Sequence, residues 1–384
     1  MGIGNRFDRG PAGPFLHCPF LLFIPLNFMP QPHLNAVATA VPSHSRHGEF
    51  LTSLPFWVRP ESTAERLRGI SANAAIAERR TVLEHPLGPP GSGAFYEYGG
   101  FPSTARRMEV FKKEAPLLAC QAVDALAGKY GGLEGITHLI VTTCTGFYAP
   151  GLDIDIIIHR SLPPTVKRTI IGFMGCYAAL TGLRQARETV LSDPSARVLM
   201  VNVELCSLHL QETELFDRLV SFCLFADGAA ASLITSEASG LRLDNCFSAL
   251  SLTDADRMAW MVEDQGFAMT LDARVPVRIR QFLARHPQAA GGCAEAGPDD
   301  VWALHPGGRL ILDALQGHYR LTDRQMEVSR SVLRDFGNMS SATIMFALER
   351  LLEQAGPESR QGHALAFGPG LTVEGADFTV LPVS

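Results

Sequence analysis

The sequence predicts an α/β protein built from two similar halves. Two observations carry this prediction: strand-like and helix-like segments alternate from about residue 30 onward, and one order of elements occurs twice. In the repeat, a helix from Cys176 precedes a glycine-containing hairpin at 224–234, and a helix from Asn338 precedes another at 366–382. Such duplication predicts two halves that meet around a central site. We place them at residues 29–240 and 241–384.

The elements of the N-terminal half follow from their apolar patterns. Strands are predicted where apolar and β-branched residues run continuously, and helices where apolar residues recur at helical spacing. We predict a first strand at 32–43, a helix closed by glycines at 106–132, strands at 137–145 and 168–173, a helix at 152–162, a strand at 196–205, and two strands joined by a tight Asp-Gly turn at 222–234.

The C-terminal half shows a strand, a Pro-Gly-Gly turn and a helix over residues 300–315. Residues 285–300 are rich in Gly, Ala and Pro, which predicts a surface loop.

Composition excludes several classes of function. The chain has 384 residues, of which 46% are hydrophobic and 19% charged, as is ordinary for a globular protein with a large core. A net charge of −6 implies no general attraction to nucleic acid or to anionic membranes. The eight cysteines include no C-x-x-C pair, and most lie in apolar runs. This pattern argues against a zinc site or a disulfide framework, and for a cytoplasmic protein.

Residues 1–28 form a segment that we interpret as an extension ahead of a natural start at Met29. Its apolar run of ten residues, PFLLFIPLNF, is too short to span a bilayer and contains two prolines. A signal peptide is the alternative, although no small-residue cleavage site follows closely.

Cys176 lies where a predicted strand ends and a helix begins, directly after Gly175. The free N–H groups of a helix start favour an anion, so we expect a lowered thiol pKa and a nucleophilic role. A buried cysteine that acts only as a small hydrophobic residue is the alternative.

His305 and Asn338 occupy equivalent places. His305 ends a strand before Pro-Gly-Gly, and Asn338 enters a helix after a glycine. A buried histidine and an N-cap asparagine are the structural alternatives. Because active sites of open α/β sheets form at strand ends, a Cys–His–Asn set for covalent acyl transfer is predicted.

Four motifs in this order, GFMGCYAAL, HPGG, GNMSSA and FGPGLTVE, resemble those of type III polyketide synthases, the chalcone-synthase-like branch of the thiolase fold. The resemblance extends from about residue 30 to the C-terminus. It implies a five-layered αβαβα subunit with two duplicated halves, a homodimer, and malonyl-CoA and acyl-CoA as substrates, with no cofactor and no metal.

The resemblance also implies residue roles. Cys176 would carry the starter acyl group, while His305 and Asn338 would stabilise the enolate formed when malonyl-CoA loses CO₂. Phe225 resembles the gatekeeper phenylalanine, and Met269 stands at the second gatekeeper position. Around the cavity fall Cys206, His209 and Trp260.

The basic CoA-binding positions of the family match less clearly. Arg66 and Arg68 are candidates for the CoA phosphates, as are Arg79 and Arg80, and Gly307 and Gly308 follow the HPGG motif. The residues at the gatekeeper and cavity positions differ from those of the plant enzymes of this family and look bacterial. They favour a medium or long fatty acyl starter over a planar aromatic one.

Two other functions remain open at this point. An initiating ketoacyl-ACP synthase also uses Cys–His–Asn on this fold, but ends with a different glycine-rich loop from Phe367-Gly368-Pro369-Gly370. A thiolase-fold protein that only binds acyl-CoA is the non-enzymatic alternative, and the intact Cys–His–Asn set argues against it.

Overall fold

The computed structural model describes residues 31–383, except for the side chain of Ala294. The predicted extension at 1–28 lies outside the described residues. The strands are β1 His33–Ala40, β2 His44–Ser45, β3 Arg80–Thr81, β4 Leu87–Gly88, β5 Tyr96–Glu97, β6 His138–Thr143, β7 Lys167–Gly172, β8 Val198–Leu205, β9 Asp227–Thr235, β10 Leu241–Leu250, β11 Met258–Glu263, β12 Gly266–Leu271, β13 Val301–Leu304, β14 Arg360–Gly368 and β15 Thr372–Val380.

The helices alternate with these strands. They are α1 His47–Trp57, α2 Glu61–Ala72, α3 Thr104–Tyr130, α4 Leu152–Arg160, α5 Ala178–Ser192, α6 Phe216–Phe222, α7 Val275–Arg285, α8 Arg309–Tyr319, α9 Asp323–Phe336 and α10 Thr343–Glu353. Short 3₁₀ helices cover Cys206–His209, Pro287–Glu295, Ser340–Ala342 and Pro369–Leu371.

The central sheet consists of two half-sheets joined at one narrow seam. Its strand order is β13-β14-β15-β10-β1-β9-β8-β6-β7. Between β1 and β10 only His33–Arg242 and Leu34–Leu241 are paired, whereas β1 pairs with β9 along its length. The two half-sheets repeat one order of strands. In the N-terminal half the parallel pair β6–β8 is followed across the sheet by β9 and then β1, each antiparallel to its neighbour. In the C-terminal half the parallel pair β13–β14 is followed in the same way by β15 and then β10. The α/β class and the duplication are therefore confirmed.

Three apolar cores separate the layers. One lies between α3 and the N-terminal half-sheet, and another between the C-terminal half-sheet and α7, α8 and α9. The central core packs α5 and α10 between the two half-sheets. The layer order is thus helix, sheet, helix, sheet, helix, and the two central helices begin next to the predicted catalytic residues.

Local signals place several helix ends. Ser103 caps α3 by accepting a hydrogen bond from the Arg106 backbone N–H, and Gly131 ends the helix at φ 84°. Thr322 and Gln325 form a reciprocal capping box at the start of α9.

Two predictions of secondary structure are wrong. Residues 222–234 form no hairpin, because Phe222 ends α6 and β9 runs unbroken from Asp227. The Asp227 carboxylate accepts hydrogen bonds from the backbone N–H groups of Val82 and Ser207, which holds the Asp-Gly pair inside the sheet. The segment 285–300 is more than a surface loop, because its 3₁₀ helix buries Cys293. The hairpin at 366–382 is confirmed as β14–β15.

No helix within residues 31–383 is both long enough and apolar enough to cross a bilayer.

Candidate active site

Cys176 lies in a tight turn between β7 and α5 and is 7% exposed. Gly175 precedes it with φ 88°, a backbone conformation that residues with a side chain rarely adopt. A Cβ atom on Gly175 would lie 2.3 Å from Cδ of Pro369, in the loop between β14 and β15. The glycine therefore lets this loop pack against the turn of Cys176.

Asn338 joins the loop of His305 to the turn of Cys176. Its Oδ1 accepts a hydrogen bond from the Ser340 backbone N–H at 2.9 Å, and its Nδ2 donates to the Gly307 carbonyl at 3.3 Å. The side chains of Asn338 and Ser340 lie close enough to the Cys176 thiol to favour its ionised form. Since the Gly307 N–H donates to the His305 carbonyl at 2.9 Å, the three predicted residues converge on one site.

His305 is buried at 2% exposure, and neither ring nitrogen has a hydrogen-bond partner among the described residues. Burial lowers its pKa to about 3, so the imidazole is neutral. A buried polar group without a partner costs about 1–3 kcal/mol. Such a group at the end of a strand is suited to bind a polar atom of a substrate.

The expected lowering of the Cys176 pKa is wrong. Burial raises the pKa of the thiol to about 12, the Glu204 carboxylate adds to this, and the hydrogen bonds from Ser340 and Asn338 act in the opposite direction. Desolvation of the thiolate outweighs the helix start because the thiol is enclosed. Cys176 therefore rests as a thiol, and a nucleophilic role would require it to lose this proton first.

Glu204 is a site residue that the sequence analysis missed. It lies in β8 with no exposed surface, and its carboxylate accepts hydrogen bonds from the Cys144 backbone N–H and the Thr145 hydroxyl, both at 2.9 Å, and from the Ser341 hydroxyl at 2.5 Å. Burial raises its pKa to about 7. A glutamate inside the continuous apolar strand at 196–205 was the available signal, because buried carboxylates are rare.

Phe225 lies directly beside the catalytic asparagine candidate. Its backbone forms an isolated parallel bridge with Asn338. The buried guanidinium of Arg79 donates to the Phe225 carbonyl at 2.9 Å and also to the Phe222 carbonyl. Arg79 therefore holds the Phe225 backbone, and its consideration as a CoA-phosphate ligand was wrong.

Met269 and Trp260 face each other across the β11–β12 hairpin. The Trp260 indole donates to the Cys144 carbonyl at 2.8 Å, which attaches the hairpin to the strand end beside Cys176. Both residues pack in the same core as Phe225.

His209 is not a free cavity wall. It has no exposed surface, its Nε2 donates to the Thr145 carbonyl at 2.8 Å, and its Nδ1 accepts from the Phe267 N–H at 3.0 Å. The ring also stacks on Phe267 at 4.2 Å between centroids. Burial lowers its pKa to about 3, so this ring is a neutral internal bridge.

Cys206 and Phe225 line a small cavity of about 70 Å³. Burial raises the pKa of the Cys206 thiol well above its ordinary value, and the nearby Glu204 and Asp227 carboxylates add to this. The rest of the wall combines apolar and basic side chains: the apolar ones include Phe50, Leu83, Leu87, Leu210 and Phe222, and the basic ones are Arg46, His47, Arg79 and Arg80.

A larger cleft of about 370 Å³ is lined by Leu224, the residue before Phe225. Its walls come from α2, α6, the segment before α7 and the loop after β13, and they include Leu224, Gly307 and Gly308. Arg66 is exposed and places its guanidinium 4.0 Å over the ring of Phe216, which lines the cleft.

For two arginines, the position relative to this cleft differs from what the sequence predicts. Arg68 is exposed on α2 and is not part of the cleft wall, contrary to expectation. Arg309 does line the cleft and donates to the Asn73 carbonyl at 3.1 Å. Sequence reasoning missed Arg309, although it directly follows the HPGG motif.

Comparisons with known proteins agree with this geometry. Residues 35–238 match the family model of the chalcone and stilbene synthase N-terminal domain, and residues 250–382 match that of the C-terminal domain. The chain is 32% identical to the alpha-pyrone synthesis polyketide synthase-like protein Pks18 of Mycobacterium tuberculosis, over 83% of each chain. It is 31% identical to type III polyketide synthase C of Arabidopsis thaliana, over 82% of this chain and 85% of the other.

Solved structures show the same fold. The C-terminal type III polyketide synthase domain of Steely1 from Dictyostelium superimposes with a TM-score of 0.83 at 26% identity, covering 91% of this chain and 99% of that one. PKS-I of the brown alga Ectocarpus siliculosus gives a TM-score of 0.81 at 29% identity, over 91% and 98% of the two chains.

Proposed function

Because the chain belongs to the chalcone and stilbene synthase family and is a type III polyketide synthase, we propose that it extends a fatty acyl starter by repeated decarboxylative condensation with malonyl-CoA. The observation that supports this chemistry best is the buried His305, whose two ring nitrogens have no hydrogen-bond partner among residues 31–383, while the adjoining Gly307 carbonyl accepts from Asn338.

Loading begins when the Cys176 sulfur attacks the thioester carbon of the starter acyl-CoA. The thiol proton passes to His305 and then to the departing CoA sulfur, because a thiol with a raised pKa needs a base at the moment of attack. The products are acyl-Cys176 and free CoA.

The extension step needs hydrogen-bond donors rather than a strong base. His305 N–H and Asn338 Nδ2–H donate hydrogen bonds to the thioester oxygen of malonyl-CoA, so that the electrons released with CO₂ are held as an enolate. The enolate carbon attacks acyl-Cys176, a C–C bond forms, and the C–S bond to Cys176 breaks. The lengthened chain leaves on CoA and returns for another round.

The cleft beside Gly307 and Gly308 is proposed to hold CoA, with Arg66 and Arg309 near its phosphates. Phe225 then separates this cleft from the cavity behind Cys206. The final chain closes to a resorcinol, a pyrone or a phloroglucinol. The alpha-pyrone in the name of the mycobacterial relative favours the second of these.

The preference for a fatty starter rests on the cavity next to Cys206. Cys206 is small, and the apolar part of the wall beside it is formed by leucine and phenylalanine side chains, with the basic side chains of the same cavity around them. A hydrocarbon tail placed there gains about 0.8 kcal/mol for each buried methylene. Trp260 is the observation against a fatty starter, because its bulk, held by the hydrogen bond from its indole N–H to the Cys144 carbonyl, shortens the cavity.

We also propose a homodimer that pairs at the β7 side of the sheet. β7 is the terminal strand of the described sheet, and Ile170 on it is 48% exposed. Phe147 lies nearby, 45% exposed and packed against Phe173. Covering this apolar edge would also cover the turn that leads to Cys176.

The starter proposal is tested by filling the tail cavity. Purified enzyme is incubated with malonyl-CoA and a ladder of acyl-CoA starters, and product masses are read. In Cys206→Phe, preference should shift to short starters, because the new ring occupies the space that a tail would use. Release of CO₂ from malonyl-CoA should survive.

Cys176→Ala is the matched control and should form no starter-derived product. If wild type ignores fatty acyl starters but uses small aromatic ones or malonyl-CoA alone, the starter proposal is wrong. If condensation instead requires an acyl carrier protein in place of CoA, the proposed CoA chemistry is wrong.

A further inference from the structure

A second group of reactive side chains lies in the C-terminal half, apart from the Cys–His–Asn site. Trp302, His363 and Asp377 are direct cross-strand neighbours on β13, β14 and β15. Directly opposed residues project from the same face of a sheet, so these three side chains form one row. The 3₁₀ helix Pro287–Glu295 covers this row and brings Cys293 to it.

We propose that Cys293, His363 and Asp377 bind a divalent transition metal ion, with zinc as the preferred ion. One ligand atom from each residue, the thiol sulfur, a ring nitrogen and a carboxylate oxygen, lies within 4.8 Å of the others. Mixed sulfur, nitrogen and oxygen donors are the set that zinc accepts in a tetrahedral site.

The distances fit such a site with small adjustments. His363 Nδ1 lies 2.8 Å from Asp377 Oδ1. Two ligands at about 2.0 Å from a tetrahedral metal are about 3.3 Å apart, so this pair needs to open by only about half an ångström. On binding, zinc would replace the thiol proton of Cys293 and the proton shared between His363 Nδ1 and Asp377. No oxidation or reduction is involved.

The groups around the ligands are those expected of a metal site. His363 Nε2 faces Asp300 Oδ2 at 3.3 Å, which fixes the ring so that Nδ1 is the metal-binding nitrogen. Asp377 Oδ2 accepts from the Gly292 N–H at 3.0 Å, leaving Oδ1 for the metal. A Cβ on Gly292 would lie 3.2 Å from Asp377 Oδ1, so the glycine permits the close approach.

The proposed site is buried, with Cys293 only 2% exposed, and a cavity lies beside it. Cys293 lines an open cavity of about 550 Å³ together with Tyr319 and Gln325. Trp302, whose ring lies 4.9 Å from that of His363, has a buried indole N–H without a partner among the described residues, and so does the Tyr319 hydroxyl. The cavity beside Cys293 is the side from which a metal ion, and a water molecule as fourth ligand, would enter.

Sequence spacing gave no sign of this site. The three ligands are 70 and 14 residues apart along the chain, far from any C-x-x-C pattern, and the fold alone brings them together. Bound metal would fasten the 3₁₀ helix to the half-sheet beneath it.

The test uses the full chain purified without chelators and without a histidine tag. Metal content is measured directly, the protein is stripped, and Co²⁺ is added as a spectroscopic probe. We expect about one metal ion per chain, and with cobalt a thiolate-to-metal charge-transfer band. The band should be lost in Cys293→Ser and kept in Cys120→Ser, which removes a buried cysteine of α3. Asp300→Asn should weaken binding about 10–100-fold, because the histidine loses its orienting partner.

A second measurement needs no variant. Added Zn²⁺ should slow alkylation of Cys293, read by mass spectrometry, and leave Cys120 unchanged. Absence of metal, of the cobalt band and of this protection in wild type would overturn the proposal, as would a band that persists in Cys293→Ser. The cluster would then be only a hydrogen-bonded network, in which His363 links Asp300 and Asp377.

Discussion

Asn338 shows how one side chain can serve the fold and the chemistry together. Its Oδ1 caps the backbone at Ser340, which is the structural role that an asparagine at a helix start is expected to have. Its Nδ2 points to the Gly307 carbonyl and lies near the Cys176 thiol, so the other end of the same amide supplies a donor to the site. The two roles use different atoms and can be separated.

Replacing Asn338 with Ala should lower malonyl-CoA decarboxylation by about two to three orders of magnitude, because a donor to the enolate oxygen is lost. Acylation of Cys176 should fall less. Asn338→Asp is the matched variant, because it keeps an oxygen for the Ser340 N–H and removes the N–H donor. Decarboxylation is measured as CO₂ release, and acylation by intact-protein mass spectrometry. Equal loss in both half-reactions would leave Asn338 with the capping role alone.

Residue identities could be predicted where chain position carried the signal. Cys176, His305 and Asn338 each stand at a junction of strand and helix, and the structure brings them together. The pKa of Cys176 could not be predicted, because it depends on enclosure by residues distant in the sequence. For the same reason His209 was assigned to the cavity, although Thr145 and Phe267 occupy both its ring nitrogens.

At the scale of elements, the turn of Cys176 and the loop between β14 and β15 depend on each other. Gly175 and Gly368 both lack the Cβ that would collide across this contact: one on Gly368 would lie 2.6 Å from the Tyr177 ring. Apolar periodicity predicted the long helices and strands well. It failed at 222–234, where hydrogen bonds from distant residues to Asp227 overrode the local preference of Asp-Gly for a turn.

Gly175→Ala should therefore destabilise the fold by about 1–3 kcal/mol, since the backbone is left-handed and the new methyl group meets Pro369. Loading of the starter on Cys176 should fall as well, because the turn must shift. Gly317→Ala is the control: it lies in α8, where a Cβ meets nothing within 4 Å, and should be neutral or stabilising. Denaturant unfolding measures both, and equal stability of the two variants would contradict the assigned strain.

For the whole molecule, the two halves share a buried polar contact as well as an apolar core. Glu204 of β8 is bonded to Ser341, which precedes α10, and Ser341 also lies 3.2 Å from the Thr142 hydroxyl of β6. The carboxylate is enclosed on all sides, so its protonation state is tied to the folding equilibrium.

Glu204 should make stability depend on pH. Its pKa is about 7 in the folded chain against an ordinary value of 4.5, chiefly because of burial. The unfolded chain therefore ionises first, and the free energy of unfolding should fall as pH rises from 4.5 to 7. Relative to Glu204→Gln, wild type should lose about 3 kcal/mol across this window. Denaturant unfolding at several pH values gives the difference, and parallel curves for the two proteins would refute the assignment.

The seam between the half-sheets has a consequence for biosynthesis. β1 is an early segment of the chain, yet it occupies the middle of the sheet, and its long partner β9 ends 202 residues after His33, at Thr235. At about 5–20 residues per second, a ribosome takes roughly 10–40 s to synthesise the intervening chain. During that time β1, an apolar strand, is unpaired. β1 and β9 are far apart in the sequence, and contacts of this kind slow folding. The strand that joins the halves of the finished enzyme is thus made long before the strand with which it pairs.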